Sequence, residues 1–181
     1  MGAVVLALLY SMDAQATETC AYGSSINFEA ALGRKLDDVV TYMAHKPDSR
    51  GGWANTDGSA WYTASTNSNA HRLTVGVPII PQISEATMAG AAAGLYQSHY
   101  VNAAKQFLSF GHGDARVRVG WEFQGDWYPW GYNFPGQDKA NYCTNYKAAF
   151  RNVVAAFRSV SPNFRFDWNP NLGDQYQMPG L

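Results

Sequence analysis

Apolar positions fall into short runs and longer periodic stretches, separated by polar, glycine-rich punctuation. Cys20 to Gly23 reads as a short strand. Asn27 caps a helix running to about Ala44, because Leu32, Leu36, Val39, Val40 and Met43 fall on one helical face. From Lys46 to Ala70, Gly, Ser, Asn and Asp dominate, with Trp53, Trp61 and Tyr62 embedded. That stretch reads as loop with one short strand and one turn of helix. Arg72 to Ile80 is a β-branched strand stopped by Pro78 and Pro81. Thr87 caps a long helix to about Phe110, with Leu95, Tyr96, Tyr100, Phe107 and Leu108 on its buried side. Ala115 to Phe123 is a strand. Asp138 caps a helix in which Tyr142, Tyr146, Phe150, Val153, Val154 and Phe157 recur at helical spacing. Asn163 to Asn169 is the last strand. Strands separated by helices imply right-handed βαβ units and an α/β fold, with roughly five parallel strands. Ligands in such sheets sit at the C-terminal strand ends.

Composition narrows the function classes. The 181 residues suffice for one domain, and 46% apolar against 15% charged residues excludes a disordered chain or a coiled coil. Thirteen basic against 14 acidic residues, without a basic cluster, argue against nucleic acid as a partner. Aromatic residues reach 14%, with 6 Trp and 11 Tyr. They make either an aromatic-rich core or a surface that stacks on a ligand.

Residues 3 to 10 form an apolar run as long as a signal-peptide core and too short to span a bilayer, and Ala14-Gln15-Ala16 follows as a cleavage site. Residues 1–16 read as an export signal with a clipped basic start, a buried first strand being the other reading. The expected location is secreted or periplasmic, with no membrane attachment once the signal is removed. Cys20 and Cys143 are either one disulfide or two thiols. His45, His71, His99 and His112 are scattered and read as structural or exposed. No metal-ligand spacing is present, and no cofactor is called for.

The most informative segment runs from Arg118 to Gly131. Alternation along the strand places Val117, Val119 and Trp121 on one face and Arg118, Gly120 and Glu122 on the other. Glu122 then lies at the C-terminal end of a parallel strand. Gly125 permits a sharp turn, and Trp127, Tyr128 and Trp130 form a wall beside the carboxylate. Glycosidic cleavage needs a proton donor at the leaving oxygen and a second carboxylate across the sugar ring. A carboxylate beside a stacking wall suits that chemistry. The competing readings are a Glu122–Arg pair inside the sheet and an indole cluster packed on the core.

The segment Glu122-Phe-Gln-Gly-Asp-Trp-Tyr-Pro-Trp130 resembles the His-Glu-x-Asn-Gly-Asp-Trp-x-Pro-Trp motif of glycoside hydrolase family 26, the mannanase-type enzymes. The helix carrying Tyr146, Phe150, Arg151 and Phe157, the run Phe166-Asp-Trp-Asn-Pro-Asn171, and Phe28-Glu-Ala-Ala-Leu-Gly-Arg34 extend the resemblance across residues 20 to 175. It implies a (β/α)8 barrel (TIM barrel) and a retaining hydrolase of β-mannan or β-glucan. It also implies an acid/base Glu at the end of the fourth strand and a nucleophile Glu at the end of the seventh. Carried over, Glu122 is the acid/base, and Trp127 and Trp130 line the sugar cleft. Trp121, Gln124, Tyr128 and Asn169 complete the expected substrate-binding set. Trp121 stands where mannanases have His, and Gln124 where they have Asn.

On that alignment residues 17–181 form a partial barrel, truncated after about the fifth strand; a complete one takes about 250 residues. No Glu follows Glu122. Of the later carboxylates, Asp126 reads as a turn residue, Asp138 as a helix cap and Asp174 as a loop residue. Asp167 is expected to form a buried ion pair with Arg118. The expected partners are a polysaccharide or oligosaccharide and, through the open barrel edge, a second copy of the chain. The alternatives are a non-catalytic carbohydrate-binding protein on a degenerate barrel, or a half-barrel that works only when paired with another chain.

Overall fold

The computed structural model describes residues 20–22 and 26–172. The proposed signal, residues 1–16, and Asp174 lie outside them. Five strands, β1 (Cys20–Tyr22), β2 (Asp38–Tyr42), β3 (Leu73–Val77), β4 (Arg116–Val119) and β5 (Arg165–Asp167), form one sheet. All neighbouring pairs are parallel, and the spatial order equals the chain order. Five helices connect or follow the strands: α1 (Ile26–Leu32), α2 (Gly52–Thr66), α3 (Met88–Ala92), α4 (Gln97–Ser109) and α5 (Tyr142–Val160). The class is α/β, as the alternation of strand and helix signals implies.

Register divides the sheet into two faces. Val39 pairs with Leu73, Val75 with Val117, Val117 with Phe166, and Val77 with Val119. This face is buried in one continuous core with Ala60 and Ala64 of α2, Phe107 of α4 and Phe157 of α5. The opposite face carries the row Tyr42–Gly76–Arg118–Asp167 and, one step below it, Val40–Thr74–Arg116–Arg165. It is polar and partly open to solvent.

Several elements differ from expectation. The helix expected over 27–44 stops at Leu32, after which Gly33 takes φ 65°, and residues 38–42 form β2. The spacing of Leu36, Val39, Val40 and Met43 fits either element, and the β-branched run Val39-Val40-Thr41 favours the strand. Residues 46–70, expected to be mostly loop, hold the 15-residue helix α2 and no named strand. The second strand of the sheet lies upstream of that stretch.

The helix expected over 87–110 is two helices, broken at Gly94, which has φ 79°. Thr87 does cap the first, its hydroxyl accepting from Gly90 N at 3.0 Å. Leu95, in the turn between the two helices, and Leu108, next to the buried Phe107 on α4, are exposed, against expectation. Helix α5 starts four residues after Asp138, whose carboxylate caps the turn before it by accepting from Asn141 N and Nδ2. The expected Arg118–Asp167 pair is absent among the described ion pairs. Asp167 reaches Arg116 at 3.7 Å, while Arg118 donates to the Tyr42 hydroxyl at 3.0 Å. No disulfide joins Cys20 and Cys143. Among the described residues, no helix is long and apolar enough to cross a membrane.

Candidate functional site

Strand β4 ends at Val119, and the chain then leaves the pleat. Gly120 and Glu122 both take φ 52°, in the left-handed region. A Cβ on Gly120 would lie 2.6 Å from Ile79 Cδ1, so both conformation and space call for glycine there. The turn breaks the alternation expected through Phe123. Trp121 swings onto the face of Tyr42, with ring centroids 4.8 Å apart, and Trp121 and Glu122 line one cleft. Gly76 on β3 makes room for this: a Cβ there would strike the Tyr42 ring and lie 2.9 Å from Trp121.

Backbone and buried phenols fix the turn. Glu122 N donates to Asn169 O at 2.8 Å, tying β4 to the end of β5, and Gly125 N donates to Glu122 O at 3.1 Å. From α5, Tyr146 donates towards the carbonyls of Val119 and Gly120, and Tyr142 towards those of Phe123 and Trp130. From α4, Tyr100 donates to Ile79 O at 2.6 Å. Burial pushes all three phenols far above their ordinary range, so they stay protonated donors. The periodic stripe on α5 is thus core packing and, at its first two positions, a clamp on the strand end.

The cleft occupies about 700 Å³ at the C-terminal ends of β1, β2 and β4. Tyr22, Tyr42, His45, Trp121, Glu122 and Tyr128 supply its rings and its carboxylate. Trp127 Nε1 donates to Glu122 Oε2 at 3.0 Å, which orients the carboxylate. Tyr128 lies 5.1 Å from Trp121 and carries a raised phenol, chiefly through burial, with the charge of Glu122 adding to it.

The structure separates the six expected substrate-binding residues. Trp121 and Tyr128 line the cleft, and Trp127 holds the carboxylate. Trp130 does not reach the cleft. It is fully buried, stacked behind Tyr128 at 4.7 Å, and its Nε1 donates to Trp121 O. Gln124 is occupied at both ends of its amide, donating to Asn171 O and accepting from Asn171 N. Asn169 contributes its backbone carbonyl to Glu122. Gln124 and Asn169 thus splice the loop after β4 to the loop after β5 and are not among the residues lining the cleft.

His45 is the residue the sequence reading missed. It follows the end of β2 by three positions, lines the cleft, and sets its ring edge-on to Tyr128, Trp130 and Trp121. Its Nε2 is buried without a hydrogen-bond partner. Burial, helped by Lys46, lowers its pKa, so the ring is neutral at pH 7. A strand assignment for 38–42 would have placed this histidine at a C-terminal strand end, where sites form.

None of the later aspartates described lines the cleft. Asp126 and Asp138 are exposed and Asp167 faces Arg116. A second depression of about 380 Å³, between the loop after β3 and residues 129–137, contains no ionisable side chain. Among the described residues, no three His, Cys, Asp or Glu side chains cluster as a metal site. Compared with known proteins, the chain matches no family model, and no curated protein matches it.

Proposed function

We propose that the cleft binds a saccharide and that Glu122 serves as the acid/base of a retaining β-glycoside hydrolase of the family 26 type. On this reading the five parallel strands in sequential order are the first five of a (β/α)8 barrel, and β-mannan or β-glucan is the polymer cleaved. One observation carries the reading: Glu122, at the C-terminal end of β4, is held by the Trp127 indole inside an aromatic cleft. A protonated Glu122 would donate to the leaving oxygen. After the glycosyl–enzyme intermediate forms, the resulting carboxylate would take a proton from the attacking water. The nucleophile would come from a strand beyond β5.

The test is reducing-sugar release from mannan and mixed-linkage glucan by a form of the protein that includes the nucleophile strand, with and without Glu122→Ala. Hydrolysis should vanish in the variant while polymer binding persists. Turnover of the polymer unchanged by the substitution would refute the role. Among the described residues lining the cleft Glu122 is the one carboxylate, which favours a second reading, a protein that binds saccharide without cleaving it. Binding with no release by the unsubstituted form that carries that strand would select it.

A further inference from the structure

The rings of the cleft are arranged differently from a stacking platform. Tyr22 meets Tyr42 at 5.6 Å and 62°, Tyr42 meets Trp121 at 4.8 Å and 56°, and Trp121 meets Tyr128 at 5.1 Å and 66°. A sugar stacks on one open ring face. Here each ring is inclined by about 60° to the next, and all four line one cleft.

Aromatic faces carry partial negative charge, and several of them around one space attract a cation from several sides. A neutral hydroxyl gains little from such walls. The remaining lining agrees in sign. Glu122 supplies one carboxylate at the cleft, and among the described lining residues there is no Lys or Arg. His45 is neutral. Arg118 ties down the Tyr42 hydroxyl and is not a lining residue. The side-chain amides expected to hold sugar hydroxyls are not among the lining residues either. What remains, among the described lining residues, is a set of aromatic rings beside the Glu122 carboxyl group.

We propose that this cleft takes an organic ammonium group, carried on an amino sugar of the saccharide it binds. The saccharide half of this statement rests on the function proposed above; the ammonium half rests on the rings and Glu122 alone.

The test is calorimetric binding to the full chain, in slightly acidic buffer that keeps the amine protonated. The probes are β-1,4 tetrasaccharides of glucosamine, N-acetylglucosamine and mannose, and tetramethylammonium chloride. The glucosamine oligomer should bind about tenfold tighter than the other two oligomers, and tetramethylammonium should compete with it. Tyr22→Ala and Tyr42→Leu should each weaken it about tenfold, while Tyr42→Phe keeps the ring and the affinity. Tyr22 is 72% exposed, so its replacement leaves the fold intact, which a melting curve checks. Equal or tighter binding of the mannose oligomer overturns the ammonium proposal and leaves the saccharide reading standing. Binding of tetramethylammonium without any oligomer supports the ammonium half and overturns the saccharide reading. Binding of no probe overturns the proposal.

Discussion

The two faces of the sheet are made by the same strands and do opposite work. On the helix-covered face Val39, Val75, Val77, Val117 and Val119 are at most 1% exposed. On the other face, one residue along each strand, stand Tyr42, Thr74, Arg116, Arg118 and Asp167. The covered face is stabilised by removal of apolar area from water, at roughly 25 cal/mol per Å². The open face is held by directed contacts, such as Arg118 on the Tyr42 hydroxyl, that gain less and depend on geometry. The contrast predicts that damage to the first face unfolds the protein, while damage to the second alters the cleft.

The sharpest way to break the contrast is Phe157→Ala. This ring is fully buried between Phe107, Phe164 and Phe166. Its loss should cost about 3–5 kcal/mol in urea unfolding. A loss under about 1 kcal/mol would mean that the covered face does not carry the fold.

Next in size is Trp127→Phe, which removes the donor on Glu122. A hydrogen bond to a charged group contributes about 1.5–3 kcal/mol. If Glu122 acts as proposed, polymer turnover by a form that includes the nucleophile strand should therefore fall roughly ten- to a hundredfold, with little change in the urea midpoint. An equal fall in stability would assign Trp127 to the core instead.

Acid should act through both regions. His45 at the cleft and His112 in the core both have pKa values lowered by burial from an ordinary 6.5. As pH falls through about 6.5, the unfolded chain takes up these protons first, so stability present above that pH is lost below it. Melting temperature measured across this window should drop on acidification. His112→Gln should reduce the slope, and a slope unaffected by that change would place the cause elsewhere.

The smallest effect is expected at Arg116 and Asp167. Their pair spans 3.7 Å, with side chains 50% and 35% exposed. A double-mutant cycle should give a coupling below about 1 kcal/mol. The buried Arg118–Asp167 pair anticipated from alternation would have cost about 3–5 kcal/mol on breaking one partner, so the cycle also distinguishes the two pairings.

Much of this was legible in the residues. The strand–helix alternation, the Thr87 cap and the coupling of Glu122 to an indole-rich loop were readable because each rests on local pattern. Three things were not. Leu36, Val39, Val40 and Met43 satisfy helical and strand spacing alike, so β2, and with it His45, was hidden. The left-handed Gly120 after Val119 reverses the side of Trp121, and alternation cannot foresee a break in its own period. Trp130 and Tyr128 look equivalent in sequence. Only three-dimensional packing decides that one ring lies behind the other.

Glu122 sits where an L side chain is disfavoured, at φ 52°. Glycine there would relieve about 1–2 kcal/mol of backbone strain. Selection for stability alone should therefore drift toward Glu122→Gly and erase the carboxylate. A population of variants screened only for folding would lose this residue early, whereas one screened for ligand turnover would keep it despite the strain. Tolerance at position 122 is thus a readout of what the cleft is for, obtainable before any substrate is known.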